Sequence, residues 1–227
     1  MVTGKMSPSH IESIITLLPK EGKDKSDIKN WRPIPLSNCD CKIITKALAM
    51  KISKILHSII DSSQTAYVPG RSVSDNLRSN FFMKNYCKCE NIGAVLVSLD
   101  AKKAFDSVDH EYISKTLIAY GFGPEFVRTF CVLYKDITAR ILVNGFTSGS
   151  IPILRGVKQG DTLSCAIFII CIDPLLRNID NNKKIRRIQI RDGPGIRFKA
   201  AAYADDVSVH LQTLTQILPE TKKKNRK

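Results

Sequence analysis

Two adjacent aspartates, Asp205 and Asp206, constrain this chain more than any other feature. An apolar run leads up to them, and Val207, Val209 and Leu211 follow at every second position. Alternation with a period of two is typical of a half-buried strand, so the pair is predicted to lie at or next to a tight turn between two strands. Adjacent carboxylates repel each other, and their burial is costly unless a cation compensates them.

The aspartate pair alone leaves two interpretations open. Carboxylate oxygens suit a hard divalent metal such as Mg²⁺, but aspartate is also common in solvated turns. A third carboxylate favours the metal, because the apolar, β-branched run Gly93–Leu99 is predicted to be a buried strand and is followed by Asp100. If this strand pairs beside the hairpin, Asp100, Asp205 and Asp206 meet at one edge of the sheet.

The charge of the chain favours a polyanionic partner. Lys and Arg number 35 against 21 acidic residues, a formal net charge of +14. A basic surface also fits solubility or membrane affinity, but metal-binding carboxylates in the same chain favour nucleic acid. The longest apolar run, Leu163–Ile172, is too short to span a bilayer, so no membrane partner is expected. With 43% hydrophobic residues, one or two closely associated globular lobes are predicted.

The cysteine usage predicts a reducing environment. The sequence has seven cysteines and no recognisable signal peptide, which favours an intracellular location in the nucleus, the cytoplasm or both. Cys39 and Cys41, like Cys87 and Cys89, are separated by one residue, which is not the usual spacing of zinc ligands. They are interpreted as buried or surface thiols.

Apolar residues at helical spacing predict five helices. They span 40–60, 73–90, 110–119, 124–134 and 162–179, with Pro174 expected to kink or end the last one. Asn38 or Asp40 is expected to cap the first of these helices, and Asp109 the third.

Other patterns predict extended structure. Trp31–Leu36 contains two prolines and is predicted to be an edge strand. Asn144-Gly145 indicates a β-hairpin over Arg140–Ile153. Lys183–Arg191 is interpreted as a basic strand, which Asp192–Gly195 turns into the strand before the paired aspartates.

Six segments, in a fixed order, resemble the reverse transcriptase domain of non-LTR (LINE-type) retrotransposons. They are Pro19-Lys20 with Asn30–Ile34, Lys42–Lys51, Gln64–Ser72, Asp100–Asp109, Gly156–Asp161 and Tyr203–Asp206. The third is similar to that family's nucleotide-contacting fingers loop, and the last three are similar to its motifs A, B and C. Together they cover nearly the whole chain.

The resemblance implies an α+β right-hand polymerase fold with fingers and palm. Residues 1–92 are then expected to form the fingers, and 93–211 the palm with inserted fingers elements. Residues 212–227 are expected to be a disordered basic tail. The thumb is expected to be absent or truncated. The lysine-bearing motif that the family places after residue 211 is not found, so no general acid is identified.

The resemblance also implies the chemistry. It predicts an RNA-directed DNA polymerase that joins a dNTP to a primer 3′-hydroxyl, with RNA as template and two Mg²⁺ ions as cofactor. The implied metal ligands are Asp100, Asp205, Asp206 and the backbone carbonyl of Ala101. Asp206 is expected to be the lesser ligand, because adjacent strand residues point to opposite faces. No protein partner is identified.

Six further residues are assigned to substrates by the resemblance. They are Arg71 and Lys42 for the triphosphate, Phe105 as the steric gate against the ribose 2′-hydroxyl, Gln159 and Gly160 for the template–nucleotide pair, and Tyr203 for the primer end. Simpler interpretations stay open for two of these assignments, because Phe105 also suits a core aromatic and the 159–160 segment a loop before a helix.

A second class of function also fits the sequence. A truncated, catalytically inactive remnant that binds nucleic acid would use the basic charge without the carboxylates. Intact Asp100, Asp205 and Asp206 favour the polymerase, whereas the basic tail favours the remnant. Two small departures from the family pattern, at Ala66-Tyr67 and at Thr162, remove no implied metal ligand.

Overall fold

The computed structural model of the protein describes residues 6–158, 160–186, 188, 190 and 199–212. The chain divides into two compact units. The first unit comprises Met1–Ile59 and Lys103–Cys171, and the second unit comprises Ile60–Lys102 and Ile172–Lys227.

Helices and strands are interspersed along the chain. The helices are α1 (Pro8–Ile11), α2 (Cys39–Ile59), α3 (Val73–Cys89), α4 (Ala104–Ser107), α5 (His110–Ala119), α6 (Pro124–Tyr134) and α7 (Thr162–Asn181), with a 3-10 turn at Ile28–Asn30. The strands are β1 (Glu12–Pro19), β2 (Trp31–Leu36), β3 (Ala94–Leu99), β4 (Thr138–Val143), β5 (Phe146–Thr147), β6 (Ile151–Pro152), β7 (Ala200–Tyr203) and β8 (Asp206–Gln212). The five predicted helices correspond to α2, α3, α5, α6 and α7.

The first unit contains a mixed sheet. Its strand order is β2-β1-β4-β5, and β6 also pairs with β4. β1 runs antiparallel to β2 and parallel to β4. β2 is an edge strand, as its prolines predict, because proline has no N–H to donate to a second neighbour.

Local signals in the first unit are confirmed by the backbone. Asn144 and Gly145 both have positive φ, +51° and +82°, in the predicted hairpin turn between β4 and β5. The Asp109 carboxylate accepts hydrogen bonds from the N–H groups of Glu111 (2.9 Å) and Tyr112 (3.3 Å), so it caps α5 as predicted. These two hydrogen bonds also hold the pKa of Asp109 below its ordinary value.

The second unit contains a three-stranded antiparallel sheet in the order β3-β8-β7. β3 pairs with β8 from Ala94↔Gln212 to Leu99↔Val207, and β7 pairs with β8 from Ala200↔Val209 to Tyr203↔Asp206. One face of this sheet packs against α7. Its buried core consists of Leu176, Ile179, Ala200, Ala202, Val207 and Val209.

Two predictions about strands are wrong. β3 was expected to be buried, but Val95, Leu96 and Leu99 are 46%, 54% and 43% exposed. Among the described strands only β8 pairs with β3, and the apolar core on this sheet is formed by residues of β7, β8 and α7 without any from β3. The described positions of Lys183–Arg191 form no strand, because Asn182 closes a turn directly after α7 through its carbonyl and side-chain oxygens. The turn predicted at Asp192–Gly195 lies outside the described residues.

α7 continues through Pro174 instead of ending there. By length and composition alone this helix is apolar enough to cross a membrane. However, 61% of the relevant window is buried inside the protein, as in the core helix of a globular protein.

Among the glycines that the structure describes, Gly156 has the least room for a side chain. It has φ +88°, and a Cβ atom there would lie 2.7 Å from Asp106 Cα and 2.9 Å from the Asp106 carbonyl oxygen. We expect Gly156→Ala to lower the free energy of unfolding by more than about 2 kcal/mol, because backbone strain and a clash with backbone atoms add together. Urea denaturation measures this loss.

Gly160→Ala is the matched control. Gly160 has a similar φ, +81°, but the nearest atom to its Cβ position is 3.8 Å away. Only the conformational cost of about 1 kcal/mol then applies. Equal losses in the two variants would contradict a steric role for Gly156.

Candidate active site

The sheet of the second unit brings the three predicted aspartates to one end. Tyr203 pairs with Asp206, so Ala204 and Asp205 form a two-residue turn between β7 and β8. On the other side of β8 the pairing ends at Leu99↔Val207. Continued by one residue, this register places Asp100 opposite Asp206, where antiparallel Cα atoms are about 5 Å apart. The predicted pairing of the strand before Asp100 (β3) with this hairpin is confirmed.

The three carboxylates are open to ligands. Asp100 and Asp206 are exposed, and Asp205 is half-buried. No described residue donates a hydrogen bond to any of these carboxylates or forms an ion pair with one. No three His, Cys, Asp or Glu side chains in the described part of the chain converge closely enough to hold a metal by themselves. The donor set still fits a hard divalent cation, because oxygen ligands without competing partners gather at one sheet end. Which adjacent acid is the main ligand stays a prediction.

The turn that carries Asp205 is held by a residue that sequence reasoning missed. Ala204 has φ +55°, which is unusual for a residue with a Cβ. The fully buried side chain of Gln64 contacts this alanine twice: Nε2 donates to the Ala204 carbonyl (3.1 Å), and Oε1 accepts from the Ala204 N–H (2.9 Å). Gln64 follows Ser63 and precedes Thr65, so nothing in this polar stretch distinguishes it from an ordinary loop residue.

Arg71 is already engaged by backbone carbonyls of the second unit. Its guanidinium donates to the carbonyl oxygens of Ile60 (2.9 Å), Asp61 (2.5 Å) and Gln64 (2.8 Å). Burial of the guanidinium lowers the pKa of Arg71. The structure therefore shows a structural role for Arg71, and triphosphate binding stays a prediction.

The remaining predicted substrate residues of the first unit have distinct surroundings. The Phe105 ring is half-buried and stacks on Phe168 with the centroids 4.1 Å apart. Lys42 is exposed on α2, and Gly160 is exposed before α7. Gln159 lies outside the described residues.

A polar cluster lies beside the motif B segment of the first unit. The Nζ atom of Lys158 lies 5.6 Å from the centroid of the Tyr134 ring, and burial lowers the pKa of Lys158. Burial raises the pKa of the buried Asp161 carboxyl, although the Leu163 N–H donates a hydrogen bond to it (3.2 Å). Burial also raises the pKa of Tyr134 to about 12. Sequence reasoning did not identify this cluster.

Comparison with known proteins defines the class of this fold and site. The family model described as reverse transcriptase (RNA-dependent DNA polymerase) matches residues 18–225. The chain therefore belongs to the reverse transcriptase family, whose members are nucleotidyltransferases.

The relatives are polyproteins of retrotransposable elements, as the sequence resemblance predicted. The chain is 34% identical over 214 residues to the transposon TX1 uncharacterized 149 kDa protein of Xenopus laevis, which covers 94% of this chain and 16% of that protein. It is 29% identical over 185 residues to the Pol polyprotein of element R2DM of Drosophila melanogaster, which covers 82% of this chain and 17% of that protein. The chain thus spans less than a fifth of these relatives and is a reverse transcriptase domain of the non-LTR retrotransposon type.

Solved structures confirm the α+β polymerase fold. Apo telomerase from Candida tropicalis matches with a TM-score of 0.59 at 10% identity, over 92% of this chain and 40% of that one. Telomerase from Candida albicans in complex with a TWJ fragment of telomeric RNA matches with a TM-score of 0.56 at 12% identity, over 91% of this chain and 39% of that one. At such identities the likeness concerns the fold.

The contacts of Arg71 predict that its guanidinium stabilises the second unit. We expect Arg71→Lys to lower the free energy of unfolding by about 2 kcal/mol, because one ammonium cannot reach three carbonyls that a planar fork satisfies. Thermal or urea denaturation measures the loss. Arg32→Lys, the same change at an exposed position of β2, is the control and should be neutral within about 0.5 kcal/mol. An unchanged stability of Arg71→Lys would contradict the structural role.

The depressed pKa of Lys158 predicts a pH-dependent stability. Because the unfolded chain binds this proton more tightly, stability rises with pH between the folded-state pKa and the ordinary value of 10.5. We expect Lys158→Met to be more stable than wild type by about 1 kcal/mol near pH 7, after allowance for the half-exposed side chain. The advantage should shrink toward about pH 10. Urea denaturation of both proteins at pH 7 and at pH 10 measures the change. A difference in the free energy of unfolding that is the same at both pH values would contradict the prediction.

Proposed function

We propose that this chain is an RNA-directed DNA polymerase domain in which Asp100, Asp205 and Asp206 bind two Mg²⁺ ions. The observation that carries the proposal is the pairing of β3 with β8, which brings Asp100 level with the Asp205–Asp206 turn. The family match supports the reaction, transfer of a nucleotide from a dNTP to a primer 3′-hydroxyl. When bound, the two ions would lower the pKa of the attacking hydroxyl and stabilise the leaving pyrophosphate.

The protein residues hold and orient these groups. The free carboxylates supply oxygen ligands from three positions, and the carbonyl of Ala101 adds a fourth. The strand pairing keeps the acids at one end of the sheet before any ligand binds, which lowers the cost of assembling the site. Tyr203, which is exposed and pairs with Asp206, is proposed to contact the primer end.

Four further residues are proposed to contact the nucleotide or the template. Phe105 is proposed to exclude the ribose 2′-hydroxyl, and its stack on Phe168 would hold the ring in place. Gln159 and Gly160 are proposed to contact the template–nucleotide pair. Because three backbone carbonyls already bind the Arg71 guanidinium, the exposed Lys42 is the stronger candidate for binding the triphosphate.

Binding of nucleic acid without synthesis is the second candidate. Its support is the formal net charge of +14, which suits a polyanionic partner whether or not the carboxylates bind metal.

A primer-extension assay on an RNA template with Mg²⁺ tests the proposed reaction. We expect Asp205→Asn to lower the rate by at least about a thousandfold, because a neutral amide removes a metal-binding charge. Asp24→Asn, the same change at an exposed loop aspartate of the first unit, should leave the rate unchanged.

Equal incorporation by wild type and Asp205→Asn would exclude the enzymatic proposal. Salt-dependent binding of the RNA–DNA duplex by a wild-type chain that makes no product would favour the second candidate. In that case the logarithm of the affinity should fall linearly with the logarithm of the salt concentration.

A further inference from the structure

Gln64 is fully buried, which is rare for a glutamine unless its amide is paired. Its Oε1 accepts two N–H groups, from Ala66 (3.0 Å) and Ala204 (2.9 Å), and its Nε2 donates to the Ala204 carbonyl (3.1 Å). Only this orientation of the amide satisfies all three partners, since two donors face one end and an acceptor faces the other.

The partner of Gln64 is the strained residue of the aspartate turn. Ala204 is buried at the tip of the hairpin and has φ +55°. A left-handed alanine costs on the order of 1 kcal/mol, so it persists only where the surroundings fix it. Both of its backbone polar groups are turned away from solvent and paired with the one amide of Gln64.

We propose that Gln64 is a positioning residue for the catalytic acids. By holding the N–H and the carbonyl of Ala204, it fixes the peptide that leads into Asp205 and therefore the direction of the Asp205 and Asp206 carboxylates. The proposal rests on the function proposed above, because it assigns Gln64 to the geometry of the same metal ligands.

The neighbours of Gln64 hold a different part of the hairpin. Ser63 and Thr65 exchange backbone hydrogen bonds with Ala202 of β7, at 2.8 Å and 2.9 Å. Asn76 of α3 donates from Nδ2 to the Ala202 carbonyl (2.8 Å) and to Thr65 Oγ1 (2.7 Å). Among the described residues, Gln64 is thus the side chain that bonds the turn itself, whereas Asn76 bonds the strand before it.

This division supplies a matched pair of variants. Gln64→Leu and Asn76→Leu each remove a side-chain amide that bonds the hairpin, so both should lose stability. Only Gln64→Leu should release Ala204. We expect amide hydrogen exchange at Ala204, followed by NMR on alanine-labelled protein, to speed up at least about tenfold in Gln64→Leu and much less in Asn76→Leu.

Metal binding and turnover then separate positioning from stability. Mn²⁺ affinity measured by electron paramagnetic resonance, without nucleotide, should fall about tenfold in Gln64→Leu and stay near wild type in Asn76→Leu. In primer extension, kcat should fall about a hundredfold in Gln64→Leu, with a change in the KM for dNTP of less than about threefold.

Gln64→Glu keeps the proposal testable if the leucine variant fails to fold. A protonated glutamic acid donates to the Ala204 carbonyl as the amide does, whereas the carboxylate cannot. The activity of Gln64→Glu relative to wild type should therefore rise as the pH is lowered. A pH-independent ratio would contradict the positioning role.

The two proposals fail in different ways. Should the wild-type chain make no DNA, the polymerase proposal fails, while hydrogen exchange and Mn²⁺ binding still decide the role of Gln64. If Gln64→Leu matches Asn76→Leu in Ala204 exchange, in Mn²⁺ affinity and in kcat, the positioning role is overturned.

Discussion

The antiparallel pairing of β3 with β8 is the interaction on which the candidate site depends. It joins two strands that lie far apart in the sequence, and its register decides which residues reach the same end of the sheet. A slip of one residue would turn each side chain of β3 to the opposite face and would move Asp100 out of line with Asp206. Burial of β7 and β8 against α7 holds the partner strand, and the ladder from Ala94↔Gln212 to Leu99↔Val207 then sets the position of Asp100.

The hairpin turn shows how a buried polar contact can serve a charged site. Apolar packing alone would hold β7 and β8, but it would leave the backbone groups of Ala204 unpaired. The Gln64 amide satisfies them and over-determines a backbone conformation that an alanine otherwise avoids. One uncharged side chain therefore contributes both to the stability of the hairpin and to the geometry of the site, without needing to contact a substrate.

Much of the fold was predictable because it follows from local rules. The cap at Asp109, the Asn144-Gly145 turn and the proline-bearing edge strand each depend on neighbours in sequence, and each is confirmed. The exposure of β3 was not predictable in this way, because an apolar β-branched run indicates a strand without indicating how many neighbours it has. The Asn182 turn likewise replaced the predicted basic strand through a short-range hydrogen bond that composition does not reveal.

The sequence allowed the charged residues of the site to be predicted, but not the residues that hold them in position. Aspartates at strand ends stand out because their placement beside apolar runs has few explanations, and the pairing that joins them is confirmed. Gln64 and Arg71 did not stand out as structural residues. Ala204 lies 140 residues from Gln64 and comes close only in the folded chain, whereas the carbonyls that bind Arg71 lie 7 to 11 residues before it, at positions that no periodic pattern indicates. Side chains that bond backbone atoms at long range leave little periodic signal in a sequence.

A double-mutant cycle of Mn²⁺ binding tests most directly whether the far-separated acids share an ion. Affinity would be measured by electron paramagnetic resonance for wild type, Asp100→Asn, Asp205→Asn and the double variant. If both carboxylates hold the same ion, each single change lowers the affinity by about tenfold or more, and the second change adds little. If the losses multiply independently, or if Asp100→Asn binds Mn²⁺ as wild type does, the two acids do not form one metal site.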